Sequence, residues 1–147
     1  MLSPRGSYGD RVMKIQKSAE DYLETILILS RQNGSVRAVD IANALHFSKP
    51  SVSIAMKNLR ENGYVELDEN GCIRLCGQGR EIAERIYERH TLLTDWLTAL
   101  GVDPLIAAED ACRIEHVIST ESFEAIRRHR QNLSLIHISE PTRLGMI

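Results

Sequence analysis

The sequence lacks the features that would place the protein in a membrane or in a secretory pathway. Its 147 residues contain no apolar run approaching the roughly 18 residues of a membrane-spanning helix. The first residues, MLSPRGSYGDRVMK, have no apolar segment typical of a secretory signal. Three cysteines form an odd number without the spacing of a disulfide framework, which suits a reducing compartment. We therefore expect a cytoplasmic protein.

An excess of positive charge is also missing. The formal net charge is -2. Residues 1–75 carry ten Lys and Arg against nine Asp and Glu, a balance of +1, whereas residues 76–147 carry eight against eleven, a balance of -3. Binding to nucleic acid would therefore require a local basic surface rather than a generally basic chain.

The two ends of the chain differ in character from the rest. Residues 1–17 begin with a polar, aperiodic stretch, so we expect a disordered N-terminal extension. At the other end, Leu133 to Arg143 reads LSLIHISEPTR, which resembles a translated reading frame of a sequencing adapter. We expect residues 133–147 to be a non-native tail, with the natural chain continuing in a different sequence.

The first half begins with two helical patterns. AEDYLETILILSRQ places apolar residues at helical spacing, and Gly34 follows as a helix stop. SVRAVDIANAL predicts a second, short helix whose inward-facing residues are Val39, Ile41, Ala42 and Leu45.

A third helix and a hairpin follow. In HFSKPSVSIAMKNLRENGYV, Ser48 is a favourable N-cap and Pro50 lies in the first helical turn, where its missing N–H costs nothing. YVELDENGCIRL alternates around Asn70-Gly71, which indicates a β-hairpin. Two helices, a third helix and a hairpin in this order predict a winged helix-turn-helix.

The outer face of the third helix has the composition of a recognition helix. Its small hydroxyl side chains would let the helix approach base edges, and its cations would meet phosphates. The alternative is a solvated helix face beside an ordinary hairpin. We predict DNA contacts from Ser48, Lys49, Pro50, Ser51, Ile54 and Lys57.

The second half predicts three more helices. GREIAERIYERHTLLTDWLTAL forms a long helix that Gly101 ends. Pro104 opens the next helix, PLIAAEDACRIEHVI, with Asp103 as its cap, and SFEAIRRHRQN forms the last, capped by Ser119 or Thr120.

The stretch DACRIEHVIS, residues 110–119, collects three potential metal ligands. At about 100° per residue, Cys112 lies within roughly 60° of both Glu115 and His116, so all three side chains can point at one ion. Taken singly, they would be a buried thiol, a solvated carboxylate and a core imidazole.

Three further candidates strengthen the metal hypothesis. Asp21 and Glu24 lie at positions i and i+3 of the first helix, and His90 lies on the long helix. Two lone carboxylates on a helix are usually only a solvated face. Their occurrence together with the C-x-x-E-H group favours a metal site.

These motifs resemble those of the diphtheria toxin repressor and MntR family of metal-activated transcriptional repressors. The resemblance covers Ser18 to Asn132 and is most specific in SAEDYLETI, VRAVDIANALHFSKPSVS, ERH and EDACRIEHVIS. It implies a homodimer that binds Fe²⁺ or Mn²⁺, with Zn²⁺ or Co²⁺ active in vitro. Its partner would be double-stranded DNA with a palindromic operator, and no membrane or small organic substrate is implied.

The ligands mix two branches of that family. The iron-sensing branch has Cys, Glu and His in the C-x-x-E-H stretch, whereas the manganese-sensing branch has Glu at the position of Cys112. The manganese branch supplies an Asp and a Glu that match Asp21 and Glu24, but the iron branch has Met at the position of Asp21. The resemblance implies one site for one or two ions, shared by Asp21, Glu24, His90, Cys112, Glu115 and His116.

Two departures from the family pattern are visible. Ligands of the iron branch's ancillary site fall on Thr94 and Ala108, which cannot hold a metal there. Cys76 stands where the family usually has Thr capping the long helix, so that cap should be weaker.

We therefore predict a mainly α fold with a small β-hairpin wing. A winged helix-turn-helix DNA-binding domain would span residues 18–75, and a helical metal-binding and dimerisation domain residues 76–132. We expect a repressor of iron or manganese homeostasis genes and no enzyme. One alternative is a metallohydrolase, because C-x-x-E-H resembles the H-x-x-E-H of inverted zinc proteases. The other is a metal-independent winged-helix regulator.

Overall fold

The computed structural model describes the backbone of residues 5–139 and the side chains of residues 17–133. This part of the chain forms six helices and one antiparallel hairpin, as the mainly α prediction required. The elements are α1 Arg5–Asn33, α2 Ala38–Leu45, α3 Lys49–Glu61, β1 Val65–Leu67, β2 Ile73–Leu75, α4 Gln78–Ala99, α5 Pro104–Ile114 and α6 Thr120–Ser139. They divide into two compact units, the first ending at Tyr87 and the second beginning at Glu88.

The core of the first unit joins α1, α2, α3 and the hairpin. Its fully shielded side chains include Leu23 and Ile26 of α1, Ile41 of α2 and Val52 of α3. Each burial of this kind contributes about 1.5–3 kcal/mol. The buried residues of α3, Val52, Met56 and Leu59, leave the opposite face of that helix exposed.

The turn between α2 and α3 fixes where α3 begins. His46 adopts a left-handed conformation with φ 57°, which ends α2. Ser48 then caps α3, since its hydroxyl oxygen accepts a hydrogen bond from the Ser51 amide at 3.3 Å. The N-cap predicted at Ser48 is thus present.

The hairpin is held by its turn as well as by its strands. Val65 lies opposite Leu75, and Leu67 lies opposite Ile73. In the turn, the Asp68 carboxylate accepts hydrogen bonds from the amides of Cys72 (2.9 Å) and Asn70 (2.8 Å). The hydrogen bond from Cys72, and to a smaller extent that from Asn70, lowers the pKa of Asp68. Their effect is larger than that of the slight desolvation of the carboxylate, which raises this pKa.

A glycine allows the start of α4 to pass close to the chain that precedes β1. A Cβ atom on Gly79 would lie 2.1 Å from the carbonyl oxygen of Tyr64. The thiol of Cys76 donates a hydrogen bond to the carbonyl oxygen of Gly63 at 3.3 Å. This side chain therefore bonds to the turn that follows α3 and not to α4.

The second unit packs α6 against the C-terminal part of α4. Phe123 of α6 is buried, and the guanidinium groups of Arg89 and Arg127 lie 5.5 Å and 5.0 Å from the centre of its ring. The Trp96 indole N–H donates to His129 Nδ1 at 2.8 Å. Ser119 caps α6, since its hydroxyl accepts from the Ser122 amide at 3.1 Å.

Two sequence expectations about the helices need adjustment. Val39 is 41% exposed and not inward, because α2 has more apolar residues than its buried face can hold, and Ala38 lies on that face instead. Helix α5 ends at Ile114, so Glu115 and His116 follow it in a turn.

The N-terminal extension also differs from expectation. The backbone from Arg5 to residue 17 is helical and continuous with α1, where we expected disorder; Lys14 and Gln16 are residues that favour helix. Residues 1–4 lie outside the described part of the chain, as do residues 140–147 of the expected non-native tail. Among the described residues, every helix is too short or too polar to cross a membrane.

Candidate functional site

The second unit brings three ligand types to one point. His90 projects from α4 and Cys112 from α5. Glu115 is the C-cap residue of α5. His90 Nδ1 lies 2.9 Å from Glu115 Oε2 and 3.6 Å from Cys112 Sγ. One donor atom from each side chain lies within 4.8 Å of the other two. We call these three residues the metal cluster.

The carboxylate of Glu115 is the most buried part of this cluster. Its side chain is 0% exposed, and His116 Nε2 lies 3.3 Å from its Oε1 atom. Burial by itself raises the pKa of Glu115. The hydrogen bonds from His116 and His90 together lower this pKa by more than burial raises it, so the net shift is downward. Glu115 is therefore an anion held between two imidazoles.

His90 experiences the opposite effect. Its hydrogen bond with Cys112, followed by that with Glu115, raises the pKa of His90 to about 10 despite partial burial. The buried carboxylate of Glu115 requires a cation nearby, and a protonated His90 supplies one when no metal is bound.

The donor set fits a divalent transition metal. An imidazole nitrogen, a thiolate sulfur and a carboxylate oxygen together suit a borderline ion such as Fe²⁺, Co²⁺ or Zn²⁺, and the carboxylate also suits Mn²⁺. Bound there, such an ion would supply positive charge that the three side chains share. His90, Cys112 and Glu115 would hold it.

The remaining predicted ligands lie nearby in sequence or in the first unit. His116 follows Glu115, and its side chain is only 2% exposed. Asp21 and Glu24 belong to α1, where Glu24 is buried and Asp21 is half-buried. The structure thus gathers three predicted ligands, with His116 beside them, in the second unit. The participation of Asp21 and Glu24 stays a prediction.

Thr94 and Ala108 stand at the two positions where the family's ancillary site has metal ligands. The Thr94 hydroxyl donates to the carbonyl of His90 at 2.7 Å, one turn earlier in α4. Ala108 has no donor atom. Neither position offers a free ligand.

A second candidate site is the outer face of α3. Ile54 is 63% exposed, although it is a large apolar residue. The Ser48 hydroxyl donates to that of Ser51 at 2.8 Å, so the start of the helix is compact. All six residues predicted to contact DNA are exposed: Ser48, Lys49, Pro50, Ser51, Ile54 and Lys57.

Sequence reasoning missed Arg89. This residue donates hydrogen bonds to the backbone carbonyls of Glu115 (3.2 Å) and Ile118 (2.9 Å). Carbonyl acceptors have no sequence signature, because every residue carries one. Only its place beside His90 in ERH could have drawn attention to it.

A winged helix-turn-helix joined to a helical unit with a metal cluster defines a metal-responsive DNA-binding protein. Two family descriptions match the chain. Residues 14–72 match "Iron dependent repressor, N-terminal DNA binding domain", and residues 77–134 match "Iron dependent repressor, metal binding and dimerisation domain". The chain belongs to this family of iron- and manganese-dependent transcriptional repressors, which includes the diphtheria toxin repressor and MntR.

Individual relatives agree with this assignment. The chain is 37% identical over 112 residues to the transcriptional regulator MntR of Escherichia coli O6:H1, covering 76% of this chain and 72% of that protein. The structure of the manganese regulator SloR matches with a TM-score of 0.67 and 28% identity over 76% of this chain. IdeR of T. acidophilum matches with a TM-score of 0.68 and 27% identity over 75%.

The chain spans about half the length of these two structures, 52% in each case. The comparisons give no support to the metallohydrolase or to the metal-independent regulator. The family is one of regulators that bind DNA, dimerise, and respond to iron or manganese.

Proposed function

We propose that this protein is a cytoplasmic, metal-activated repressor of iron or manganese homeostasis genes. The observation that carries the proposal is the metal cluster of His90, Cys112 and Glu115 in a chain that also presents an exposed recognition helix. A repressor that binds DNA when it holds a metal ion would use both features.

Asp21 and Glu24 extend this proposal to the first unit. Two carboxylates on α1 would share the ion with Glu115, since divalent cations attract several oxygen ligands. Without the ion, the like charges repel one another and disfavour the DNA-binding arrangement. The ligands on α1 would thereby make the winged helix-turn-helix sensitive to metal.

The ligand set favours Fe²⁺ as the signal, with Mn²⁺ close behind. Cys112 is a soft thiolate and Glu115 a hard carboxylate, and Fe²⁺ accepts both. Co²⁺ would activate in vitro, since the Irving–Williams order places it above Fe²⁺, and Zn²⁺ would do so because thiolate and imidazole ligands suit it.

The recognition helix α3 would read a palindromic operator as part of a homodimer. Ser48, Pro50, Ser51 and Ile54 would reach the bases, while Lys49 and Lys57 would meet phosphates. Dimerisation is supported by apolar side chains exposed around the start of α5, namely Leu100, Leu105 and Ile106. Two copies would place two recognition helices about one DNA turn apart.

A gel-shift assay tests the proposal. The protein is freed of metal with a chelator and mixed with an operator fragment, and Fe²⁺ (kept reduced) or Mn²⁺ is then added. We expect a retarded complex only with metal, and its loss after renewed chelation. DNA binding that persists without metal would point to the metal-independent regulator, and peptidase activity with Zn²⁺ would point to the hydrolase.

A further inference from the structure

Two of the proposed ligands lie outside regular structure. Helix α5 ends at Ile114, so Glu115 and His116 belong to the turn that leads to α6. The amides of Val117 and Ile118 both bond to the carbonyl of Ile114, at 3.0 Å each. The carbonyls further along this turn need other partners, because the helix that would supply them has ended.

Arg89 supplies those partners from α4. Its Nη1 atom donates to the carbonyl oxygens of Glu115 and Ile118, at 3.2 Å and 2.9 Å. One guanidinium nitrogen therefore bridges both ends of the turn. Hydrogen bonds from a charged donor are about twice as strong as neutral ones.

The next residue of α4, His90, holds the other end of Glu115. His90 Nδ1 lies 2.9 Å from the carboxylate, whereas Arg89 bonds to the carbonyl of the same residue. Two consecutive residues of one helix thus fix both the backbone and the side chain of Glu115. Cys112, in contrast, is positioned by α5 itself.

The guanidinium of Arg89 is also held in place. It lies 5.5 Å from the centre of the Phe123 ring, and Arg127 lies 5.0 Å from the same ring. Arg127 makes its ion pairs with Glu88 and Glu124. The two arginines share one aromatic neighbour, but only Arg89 donates to the turn that carries the ligands.

We propose that Arg89 is a positioning residue for the metal centre: it fixes the turn that presents Glu115 and His116 to the ion. The inference rests on the proposed metal site. Loss of a group that orients metal ligands lowers affinity about 10- to 100-fold. Removing Arg89 should therefore weaken metal binding without altering the thiolate of Cys112.

The test uses Co²⁺ as a spectroscopic probe in the full chain. Affinity is measured by competition with a chelator, and Cys112 is followed by the near-ultraviolet charge-transfer band of its bond to Co²⁺. The variants are Arg89→Met and, as the matched control, Arg127→Met, which also removes an arginine from the Phe123 ring. For Arg89→Met we expect a loss of affinity of about 10- to 100-fold with the band retained at saturation. For Arg127→Met we expect wild-type affinity.

Two outcomes would overturn the inference: wild-type affinity in Arg89→Met, or an equal loss in both variants. If Arg89→Met does not fold, Arg89→Lys replaces it. Its ammonium keeps the charge but lacks the planar geometry and reach of guanidinium, so about tenfold weaker binding is expected and wild-type affinity would refute the idea. Absence of the Co²⁺–thiolate band in the wild type would instead refute the proposed metal site.

Discussion

At the scale of single residues, Cys112 decides the chemical character of the metal cluster. It is the only sulfur ligand proposed, and it lies beside the imidazole of His90. All the other proposed ligands are oxygen or nitrogen donors. The position of Cys112 is one of two, with that of Asp21, at which we expect the iron-sensing and manganese-sensing branches to differ.

We predict that Cys112→Glu moves the metal response towards Mn²⁺, because a hard oxygen replaces a soft sulfur. The measurement is a titration of DNA binding with Fe²⁺, Mn²⁺ and Zn²⁺ for the wild type and the variant. Cys72→Ser serves as the control, since Cys72 lies in the hairpin turn of the first unit. An unchanged ranking of metals in Cys112→Glu would mean that Cys112 is no ligand.

At the scale of elements, a substitution at the start of α4 tests how closely this helix approaches the chain before β1. Helix propensity alone predicts that Gly79→Ala stabilises the protein by about 1 kcal/mol. The clash with the Tyr64 carbonyl reverses the sign, because backbone cannot give way cheaply. We predict destabilisation by about 3 kcal/mol in urea unfolding.

Gly77→Ala is the control for Gly79→Ala. Gly77 has φ +51°, and a Cβ atom there would meet nothing within 4 Å. Only conformational strain of about 1 kcal/mol is expected. Equal losses for the two substitutions would argue against the close approach.

The recognition helix supports a second prediction at this scale. Lys57 is exposed on the outer face of α3, and we propose that it meets a phosphate. Lys57→Ala should weaken binding to all DNA sequences and reduce the slope of log K against log salt by about one. Measurements over a range of salt concentrations would reveal this. An unchanged slope would show that the face is assigned wrongly, and Ser51→Ala should alter sequence preference instead.

At the scale of the whole molecule, we propose that dimerisation depends on the apolar side chains around the start of α5. Leu105 is 77% exposed, which is costly unless another surface covers it. We predict that Leu105→Glu converts the dimer to a monomer in sedimentation experiments and weakens operator binding. Val39→Glu, at an exposed apolar position of α2, should leave the dimer intact. A dimeric Leu105→Glu would place the interface elsewhere.

Periodicity and capping rules recovered most of the fold. The hairpin around Asn70-Gly71 and the caps at Ser48 and Asp103 were predictable because local chemistry dictates them. Val39 was misplaced, since a short helix with many apolar residues does not reveal which of them its neighbours cover. The end of α5 at Ile114 was also missed, because the apolar pattern continues beyond it.

The candidate site shows the same division. The grouping of Cys112 with Glu115 follows from helical geometry, whereas the contact of both with His90 depends on how α4 packs against α5. Ligand type can be inferred from sequence, but the distance between two helices cannot. Arg89 was invisible for the further reason that its acceptors are backbone carbonyls.

The different exposures of the three cysteines turn the protein into its own reporter. Cys112 is exposed, whereas Cys72 and Cys76 are half-buried and none of them is in a disulfide. A thiol-alkylating reagent should therefore modify Cys112 first in the metal-free protein. A sulfur bound to a metal reacts slowly with such reagents. The rate of alkylation of Cys112 would therefore record the occupancy of the metal site in a living cell, and the measurement would need neither DNA nor spectroscopy.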